Sequence, residues 1–374
     1  MKPTFNILLT LILVSSFSCT PVIENEPRTI QIAESEFINV PIEEILSVSD
    51  YTVLEFTPES ALPEYAPFLN NTTDFFLVDQ FQKKVIFQFD RNGKFVRTIG
   101  KFGQGPGEYT QIKDALISKN GLEILTGNQT TDIFQYNSDG QFRQRLSAPI
   151  PFGYSFAQLP GSGNYCIFSG FSQNLVHILD GLSLAPVDSF LQRNQNLMVP
   201  AVQAFGTTTM GSVLFYQPYD NRIFRLEKDT IRLSYIFDVG STMPSYDAMV
   251  KADQEKLFGE GVLWLVFKAL ENKDWLYLLL SKQDFTNMAG SDFYSLLFNK
   301  KTGKLFRLPE NPEPGPLFLP AFGLTDDNVL YTAVSPAYVQ GSEAWKTGLA
   351  KKGIQIKPDG NYIIIKYRLN SLNK

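Results

Sequence analysis

The sequence predicts an all-β fold in which six four-stranded blades close into a ring, that is, a six-bladed β-propeller. Three observations support this prediction. A hairpin pattern, an aromatic residue followed by a polar turn ending in glycine and a second strand, occurs at residues 89–99, 136–146 and 298–308. The first two copies lie one blade length apart, within the range of about 40–50 residues. Short apolar segments that suit β-strands fill the chain between and after them.

The three hairpins share a turn that requires positive φ. Asn92-Gly93 and Asp139-Gly140 are dipeptides of the kind that close two-stranded hairpins, and Gly303 ends the third turn. Such dipeptides between alternating apolar residues are the strongest short-range hairpin signal. Each pattern therefore predicts the last two strands of a blade.

The strand candidates group into blades around these hairpins. The sixth blade lacks a fourth strand, and a free strand at Tyr51–Phe56 precedes the first blade. Pairing it with Tyr362–Leu369 closes the ring and covers an edge that would otherwise be exposed. The predicted blades span residues 66–100, 111–147, 154–192, 203–240, 262–309 and 321–369.

Composition excludes several classes of function. The 374 residues carry 33 Lys and Arg against 38 Asp and Glu, a net charge of -5. This balance argues against nucleic-acid binding, which depends on a basic surface. A single His and two Cys argue against a Cys/His zinc cluster or a disulfide framework. We therefore expect no cofactor, no bound metal and no nucleic-acid partner.

The first residues have the layout of a secretory signal peptide. Lys2 is followed by an apolar segment that is too short to span a bilayer and by small residues that lead to Cys19. We predict a signal peptide over residues 1–18, a lipidated Cys19, a tether over residues 19–45 and a propeller over 46–374. An ordinary signal peptide with a chance cysteine is the alternative. Acylation would anchor a monomer to the outer membrane, on its periplasmic or cell-surface side.

One stretch points to a family. Residues 89–109 read FDRNGKFVRTIGKFGQGPGEY. Together with the leader and the final strand, this stretch resembles the six-bladed β-propeller lipoproteins of gut anaerobes, which have NHL-like repeats. The resemblance implies a closed propeller, and it brings no established activity and no catalytic residues with it.

The long loops fall at one end of the predicted strands. They join the second strand to the third, or one blade to the next, and long loops on a rigid scaffold commonly carry binding sites. We call the surface that they form the long-loop face. Helices are predicted over 244–258 and near 342–351, and they either cover sheet edges or contact a ligand. The long insertions are residues 101–110, 193–202, 241–261, 282–292 and 334–361.

Aromatic residues near these loops are the best candidates for ligand contacts. Aromatic rings stack on sugar rings and on apolar peptide side chains, although blade packing is the more common role for any one of them. Phe152 and Tyr109 lie near the same loop mouths. The predicted ligand-binding residues are Phe81, Phe102, Tyr154, Tyr219, Phe285 and Tyr338.

Other candidate chemistry is weaker. The glycine-rich run 103–107 lacks the Lys-Ser/Thr of a phosphate loop and is interpreted as a structural turn. His177 and Cys166 lie in alternating strands and are interpreted as structural. Carboxylates that could pair for glycosidase chemistry have no working distance assigned by the sequence. They are Asp79, Asp132, Asp220 and Asp247.

Three functions remain open at this point. The first is a lipid-anchored propeller that binds a glycan, a peptide or an envelope protein without catalysis. The second is a lyase, lactonase or glycosidase that uses carboxylates at the channel mouth, which requires converging polar groups with a shifted pKa. The third is a structural spacer, which predicts a large apolar patch without a pocket.

Overall fold

The fold is all-β, as the sequence predicts. The computed structural model describes residues 26–370 except 34, 36, 40, 64, 65, 194–202, 219, 229, 241–261, 285–290, 309–319, 356, 358 and 359. The strands are β1 (Arg28–Gln31), β2 (Leu46–Val53), β3 (Phe68–Asn70), β4 (Asp74–Val78), β5 (Ile86–Asp90), β6 (Phe95–Ile99), β7 (Asp114–Ser118), β8 (Gly121–Thr126), β9 (Thr131–Tyr136), β10 (Phe142–Ala148), β11 (Gly153–Gln158), β12 (Tyr165–Ser169), β13 (Asn174–Leu179), β14 (Pro186–Gln192), β15 (Phe205–Thr208), β16 (Val213–Phe215), β17 (Arg222–Glu227), β18 (Thr230–Asp238), β19 (Val262–Glu271), β20 (Trp275–Asp284), β21 (Ser291–Asn299), β22 (Leu305–Leu308), β23 (Gly323–Leu324), β24 (Val329–Val334) and β25 (Ile363–Leu369).

Most of the strands form antiparallel meanders. Three sheets consist of four consecutive strands each, β3 to β6, β7 to β10 and β11 to β14. The first strands of these sets lie side by side, with β3 beside β7, β7 beside β11 and β11 beside β15. Because each set has an even number of strands, the crossings between sets and the turns between second and third strands lie at the same strand ends. The loops at residues 100–113, 149–152 and 170–173 therefore share the long-loop face.

The predicted pairing of the two chain ends is present. Strand β2 is antiparallel to β25, with Leu46 opposite Leu369 and Val53 opposite Ile363. The sheet continues through β24 to β23. A strand from the start of the chain thus completes a four-stranded sheet with the last three strands and covers the edge of β25.

The sequence predicts separate sheets for residues 203–240 and 262–309, but the structure joins them into one sheet of nine strands. A short parallel ladder pairs Thr207 with Leu270 and Thr208 with Glu271. Gly206 makes this approach possible, since a Cβ there would lie 2.4 Å from the Ala269 carbonyl oxygen.

Part of the predicted tether is packed against the sheets. Strand β1 lies parallel to β18, with Arg28 opposite Tyr235 and Gln31 opposite Asp238. Ile30 and Ile32 are buried in the same apolar cluster as Phe237. Residues 28–32, Phe37 and Ile38 therefore pack against the sheets before the chain enters β2.

The core consists of apolar rows between neighbouring sheets. One row joins Phe68 and Phe75 to Phe322, with the ring centroids of Phe68 and Phe322 5.2 Å apart. This row links β3 to the segment that leads into β23. Other rows lie between the remaining neighbouring sets, so burial of the sheet faces holds each set against the next.

The helices are few and short among the described residues. They are α1 (Ile42–Ile45), α2 (Pro336–Gln340) and α3 (Glu343–Ala350). Helix α3 matches the helix predicted near 342–351, and the Ser342 side chain caps it by accepting from the Trp345 N–H. Trp345 is buried in the core of the last sheet, so this helix covers the sheet. The helix predicted over 244–258 lies outside the described residues.

No helix in the described part of the chain is long and apolar enough to cross a membrane.

Candidate functional site

A crossing loop on the long-loop face departs from ordinary backbone geometry. Phe152, in the loop between β10 and β11, has a φ of 49°. Bulky residues rarely adopt this left-handed conformation, and such outliers are held in place by their surroundings. The Phe152 N–H donates to the Asn128 carbonyl at 2.8 Å, and the Ser169 hydroxyl donates to the Pro151 carbonyl at 2.7 Å. Hydrogen bonds to Asn128 and to Ser169 thus hold the loop in place.

The next residues continue the irregularity. Gly153 has no room for a side chain, because a Cβ would lie 2.5 Å from the Thr131 hydroxyl oxygen. Strand β11 then has a bulge, since Gly153 pairs with Ser169 and Ser155 with Phe168, which leaves Tyr154 without an opposite residue. Bulges next to functional sites commonly redirect one side chain.

These irregularities bring three rings together. The Phe152 and Phe171 centroids are 4.9 Å apart, and those of Tyr154 and Phe171 are 6.1 Å apart. The Lys113 Nζ lies 5.5 Å from the Phe152 centroid and 5.4 Å from the Tyr154 centroid, within cation–π range. We call Lys113, Phe152, Tyr154 and Phe171 the aromatic–lysine site.

The Lys113 ammonium group is poorly compensated. Its Nζ is buried and finds no hydrogen-bond acceptor among the described residues. Burial lowers the pKa of the Lys113 amine, since the charged form loses water contacts that nothing polar replaces. Phe171, in contrast, is 48% exposed and presents a ring to solvent. The site therefore combines an accessible ring with a cation that lacks its hydrogen bonds.

A buried carboxyl group lies directly after Lys113. The Asp114 carboxylate accepts hydrogen bonds from the Ser155 hydroxyl at 2.8 Å and the Phe156 N–H at 3.1 Å, and from Gln203 at 3.4 Å. Desolvation raises the pKa of Asp114 to about 6, although these hydrogen bonds oppose the shift. Asp114 thereby connects β7, β11 and the segment before β15.

A second lysine is close to this carboxyl group. Lys268 on β19 is partly exposed, and burial lowers the pKa of its amine while the Asp114 charge opposes that change. The Tyr216 hydroxyl is within 3.5 Å of the Phe267 carbonyl oxygen. The amine of Lys268 therefore lies near the carboxyl group of Asp114.

Hydrogen bonds or ion pairs from the protein itself occupy Asp114 and three of the four predicted carboxylates. Asp114 is already occupied by protein donors, and the described residues contain no group of His, Cys, Asp and Glu that could hold a metal ion. Three of the predicted carboxylates are also occupied. Asp79 accepts from the N–H groups of residues 81–83, Asp132 pairs with Arg145 at 2.9 Å and Asp220 pairs with Arg222 at 2.8 Å. Asp247 lies outside the described residues.

The predicted ligand-binding residues fall in different places. Tyr154 belongs to the aromatic–lysine site. Phe81 is 77% exposed, Phe102 lies 4.4 Å from the Lys84 Nζ and Tyr338 is on α2. Within the described ranges, no ring contact joins these three to the site. Tyr219, Phe285 and the predicted lipidation residue Cys19 lie outside the described residues.

Sequence reasoning missed Lys113 and Phe171. Phe171 follows Gly170 in the turn between β12 and β13, and its position there was a usable signal. Lys113 gives no such signal, because its burial depends on the crossing loop from another sheet. His177 and Cys166 lie in β13 and β12 as predicted, and Cys166 is buried.

A solved structure that matches this chain over most of its length shows a shared fold. A Bacteroides fragilis protein described as exported is 17% identical, with a TM-score of 0.69 over 92% of this chain and 100% of that chain. A catalytically inactive virginiamycin B lyase from Staphylococcus aureus with quinupristin is 10% identical, with a TM-score of 0.43 over 86% and 99%. An auxiliary nutrient binding protein from Bacteroides ovatus is 12% identical, with a TM-score of 0.39 over 70% and 64%.

The comparison with curated proteins found no match. A family described as "Domain of unknown function (DUF4934)" matches residues 27–368, which is most of the chain. The chain therefore belongs to this family.

Proposed function

We propose that the protein is a lipid-anchored, six-bladed β-propeller of the cell envelope that binds a ligand through its long-loop face without catalysis. The observation that carries the binding role is the exposed Phe171 ring beside the buried, unpaired Lys113 amine. A glycan, a peptide or another envelope protein could use such a surface, since each offers apolar faces for stacking and acceptors for an amine.

The six-bladed ring is supported by the strand sets. Within the nine-stranded sheet, β15 to β18 and β19 to β22 are two further antiparallel sets of four. Strand β19 lies beside β23, and Phe68 of β3 stacks on Phe322, which precedes β23. Each first strand therefore has a neighbour on either side, which is the arrangement expected of a closed propeller.

The envelope location is supported by the leader sequence. The apolar segment before Cys19 is of signal-peptide length, and acylation at Cys19 would hold the protein on a membrane. Cys19→Ala should release the protein into the soluble fraction and abolish incorporation of a labelled fatty acid. Unchanged membrane retention and labelling in this variant would contradict the anchor.

One observation favours an enzyme as the second candidate. The pKa of Asp114 is raised to about 6, the range of a carboxylic acid that can donate a proton near neutrality. Its hydrogen bonds to Ser155 and Phe156 occupy the carboxylate, and this favours a structural role. Substrate conversion by the wild type that is lost in Asp114→Asn, with folding intact, would establish the enzyme instead.

The binding role is tested by thermal shift. The chain from Thr20 onward is screened against glycans and peptides, because a ligand that binds only the native state raises the melting temperature. Phe171→Ala should abolish the shift caused by any hit. Leu182→Ala is the control, since Leu182 is 84% exposed in the turn between β13 and β14, away from the long-loop face. Equal shifts in both variants would place the ligand elsewhere.

A further inference from the structure

The aromatic–lysine site contains an incomplete set of hydrogen bonds. An ammonium group has three donors, and the buried Lys113 Nζ has no acceptor within the described part of the chain. The Phe152 and Tyr154 ring centroids lie 5.5 Å and 5.4 Å from the Nζ, and these rings attract the charge but offer no hydrogen-bond acceptor. A buried, unsatisfied charged donor is costly. A ligand acceptor that displaces the Phe152 or Tyr154 ring from the Nζ would recover that cost.

The charges around the site favour an anion. Lys268 is the cation near Asp114, whose oxygens already accept from Ser155 and Phe156. Lys113 is a second cation, and its amine has no acceptor among the described residues. A further cation, Arg193, follows β14 at the same end of the sheet as Phe171. Its N–H donates to the Gln173 carbonyl at 2.9 Å, and its buried Nε has no partner among the described residues.

The aromatic rings of the site indicate what the uncharged part of the ligand is. Phe171 is exposed, and Tyr154 carries a hydroxyl group at the same surface. Stacking favours a flat or sugar-like ring, and the amine that lies over the faces of Phe152 and Tyr154 favours an acid group attached to that ring. A purely apolar partner would leave Lys113 as unsatisfied as it is now.

We propose, on the basis of the proposed function, that the ligand of the aromatic–lysine site is a ring-bearing acid of the carboxylated glycoside class, with its ring on Phe171 and its carboxylate on Lys113. The carboxylate completes the hydrogen bonds of the amine, while the sugar ring covers the exposed aromatic face. The acid group, rather than the ring, then sets the preference among ligands.

The test uses two probes that differ only in the acid group. Phenyl β-glucuronide and phenyl β-glucoside are titrated calorimetrically into the chain from Thr20 onward. A hydrogen bond to a charged group supports a preference of about 10- to 100-fold for the glucuronide. Lys113→Met should remove this preference, and Lys113→Arg, which keeps the charge, should retain part of it. Thermal unfolding of each variant confirms that it is folded.

The outcomes separate the two proposals. Equal affinity of the wild type for both probes, lost in Phe171→Ala, overturns the acid preference and leaves the binding role intact. Failure of both probes to bind overturns the carboxylated glycoside class, whereas the binding role is judged by the wider thermal-shift screen. A glucuronide preference that persists in Lys113→Met places the carboxylate on another cation and also overturns the inference.

Discussion

Two crossing loops on the long-loop face each join the last strand of one set to the first strand of the next, but their backbone conformations differ. The crossing from β6 to β7 uses glycine where φ is positive, as at Gly100 with 85°. Its Glu108 carboxylate pairs with Lys101 at 2.6 Å and accepts from the Gly105 N–H at 2.9 Å. The crossing from β10 to β11 instead places Phe152 at a φ of 49° and is followed by the bulge at Tyr154.

The difference separates a structural loop from a candidate functional one. In the first crossing, local sequence preference and tertiary packing agree, which is how stable connections are built. In the second, a bulky residue in a left-handed conformation is followed by a bulge, and both rings lie within cation–π range of Lys113, the residue before β7. Departures of this kind concentrate at functional sites, because the surrounding fold has to hold them in place.

The largest effect is expected at Gly100. A Cβ there would lie 2.1 Å from the Tyr109 hydroxyl oxygen, and Tyr109 is buried against Phe134. Gly100→Ala should lower the free energy of unfolding by about 4 kcal/mol, since backbone strain and overpacking add. Urea unfolding measures this loss.

Gly163→Ala is the matched control. Gly163 also has a positive φ, 76°, but no atom lies within 4 Å of the position of its Cβ. Gly163→Ala should therefore lower the free energy of unfolding by only about 1 kcal/mol, the cost of placing alanine at a positive φ. Equal losses in the two variants would mean that the packing of the first crossing contributes nothing.

The next effect concerns Asp114, which joins the two crossings. A folded-state pKa of about 6, above the unfolded value near 3.8, favours the folded state fully below pH 4, and this contribution is lost as the pH rises to 6. The free energy of unfolding should therefore fall by about 3 kcal/mol from pH 4 to 7, relative to Asp114→Asn. Urea unfolding of both proteins across this range measures the difference. If the unfolding free energies of the wild type and Asp114→Asn change with pH in the same way, the pKa of Asp114 is not raised.

A smaller effect compares two substitutions at Phe152. Both Phe152→Gly and Phe152→Ala remove the ring, but only glycine accepts a φ of 49° without strain. The glycine variant should be more stable than the alanine variant by about 1 kcal/mol, and both should lose ligand binding. An alanine variant that unfolds at the higher urea concentration would show that the loop relaxes and stores no strain.

The smallest effect is expected at Lys113. Lys113→Met keeps most of the length of the side chain and removes a buried amine without a hydrogen-bond partner. The free energy of unfolding at pH 7 should stay the same or rise by about 1 kcal/mol. A clear loss of stability would indicate that the cation–π contacts with Phe152 and Tyr154 outweigh the cost of burial.

Regular elements were predictable because their signals are local. The Asn92-Gly93 and Asp139-Gly140 hairpins form where the dipeptides indicate, with Gly93 at a φ of 84° and Gly140 at 75°. The pairing of β2 with β25 followed from the need to cover an edge. The all-β class was therefore accessible from the sequence.

The candidate site was only partly predictable because its properties are tertiary. Tyr154 was identified as an aromatic residue near a loop mouth, yet nothing local indicates its bulge. The amine of Lys113 is buried by Phe152, which belongs to the next sheet, so the unpaired donor appears only after the sheets pack. The union of β15 with β19 likewise depends on Gly206 meeting Ala269 across two sets of strands.

The most direct measurement is a crystal structure of the chain from Thr20 onward with a ligand found by thermal shift. Our account predicts the ligand ring stacked on Phe171, with a polar group of the ligand within hydrogen-bond distance of the Lys113 Nζ. A ligand bound at the opposite end of the strands, beside Leu182, with Phe171 and Lys113 unchanged, would contradict it.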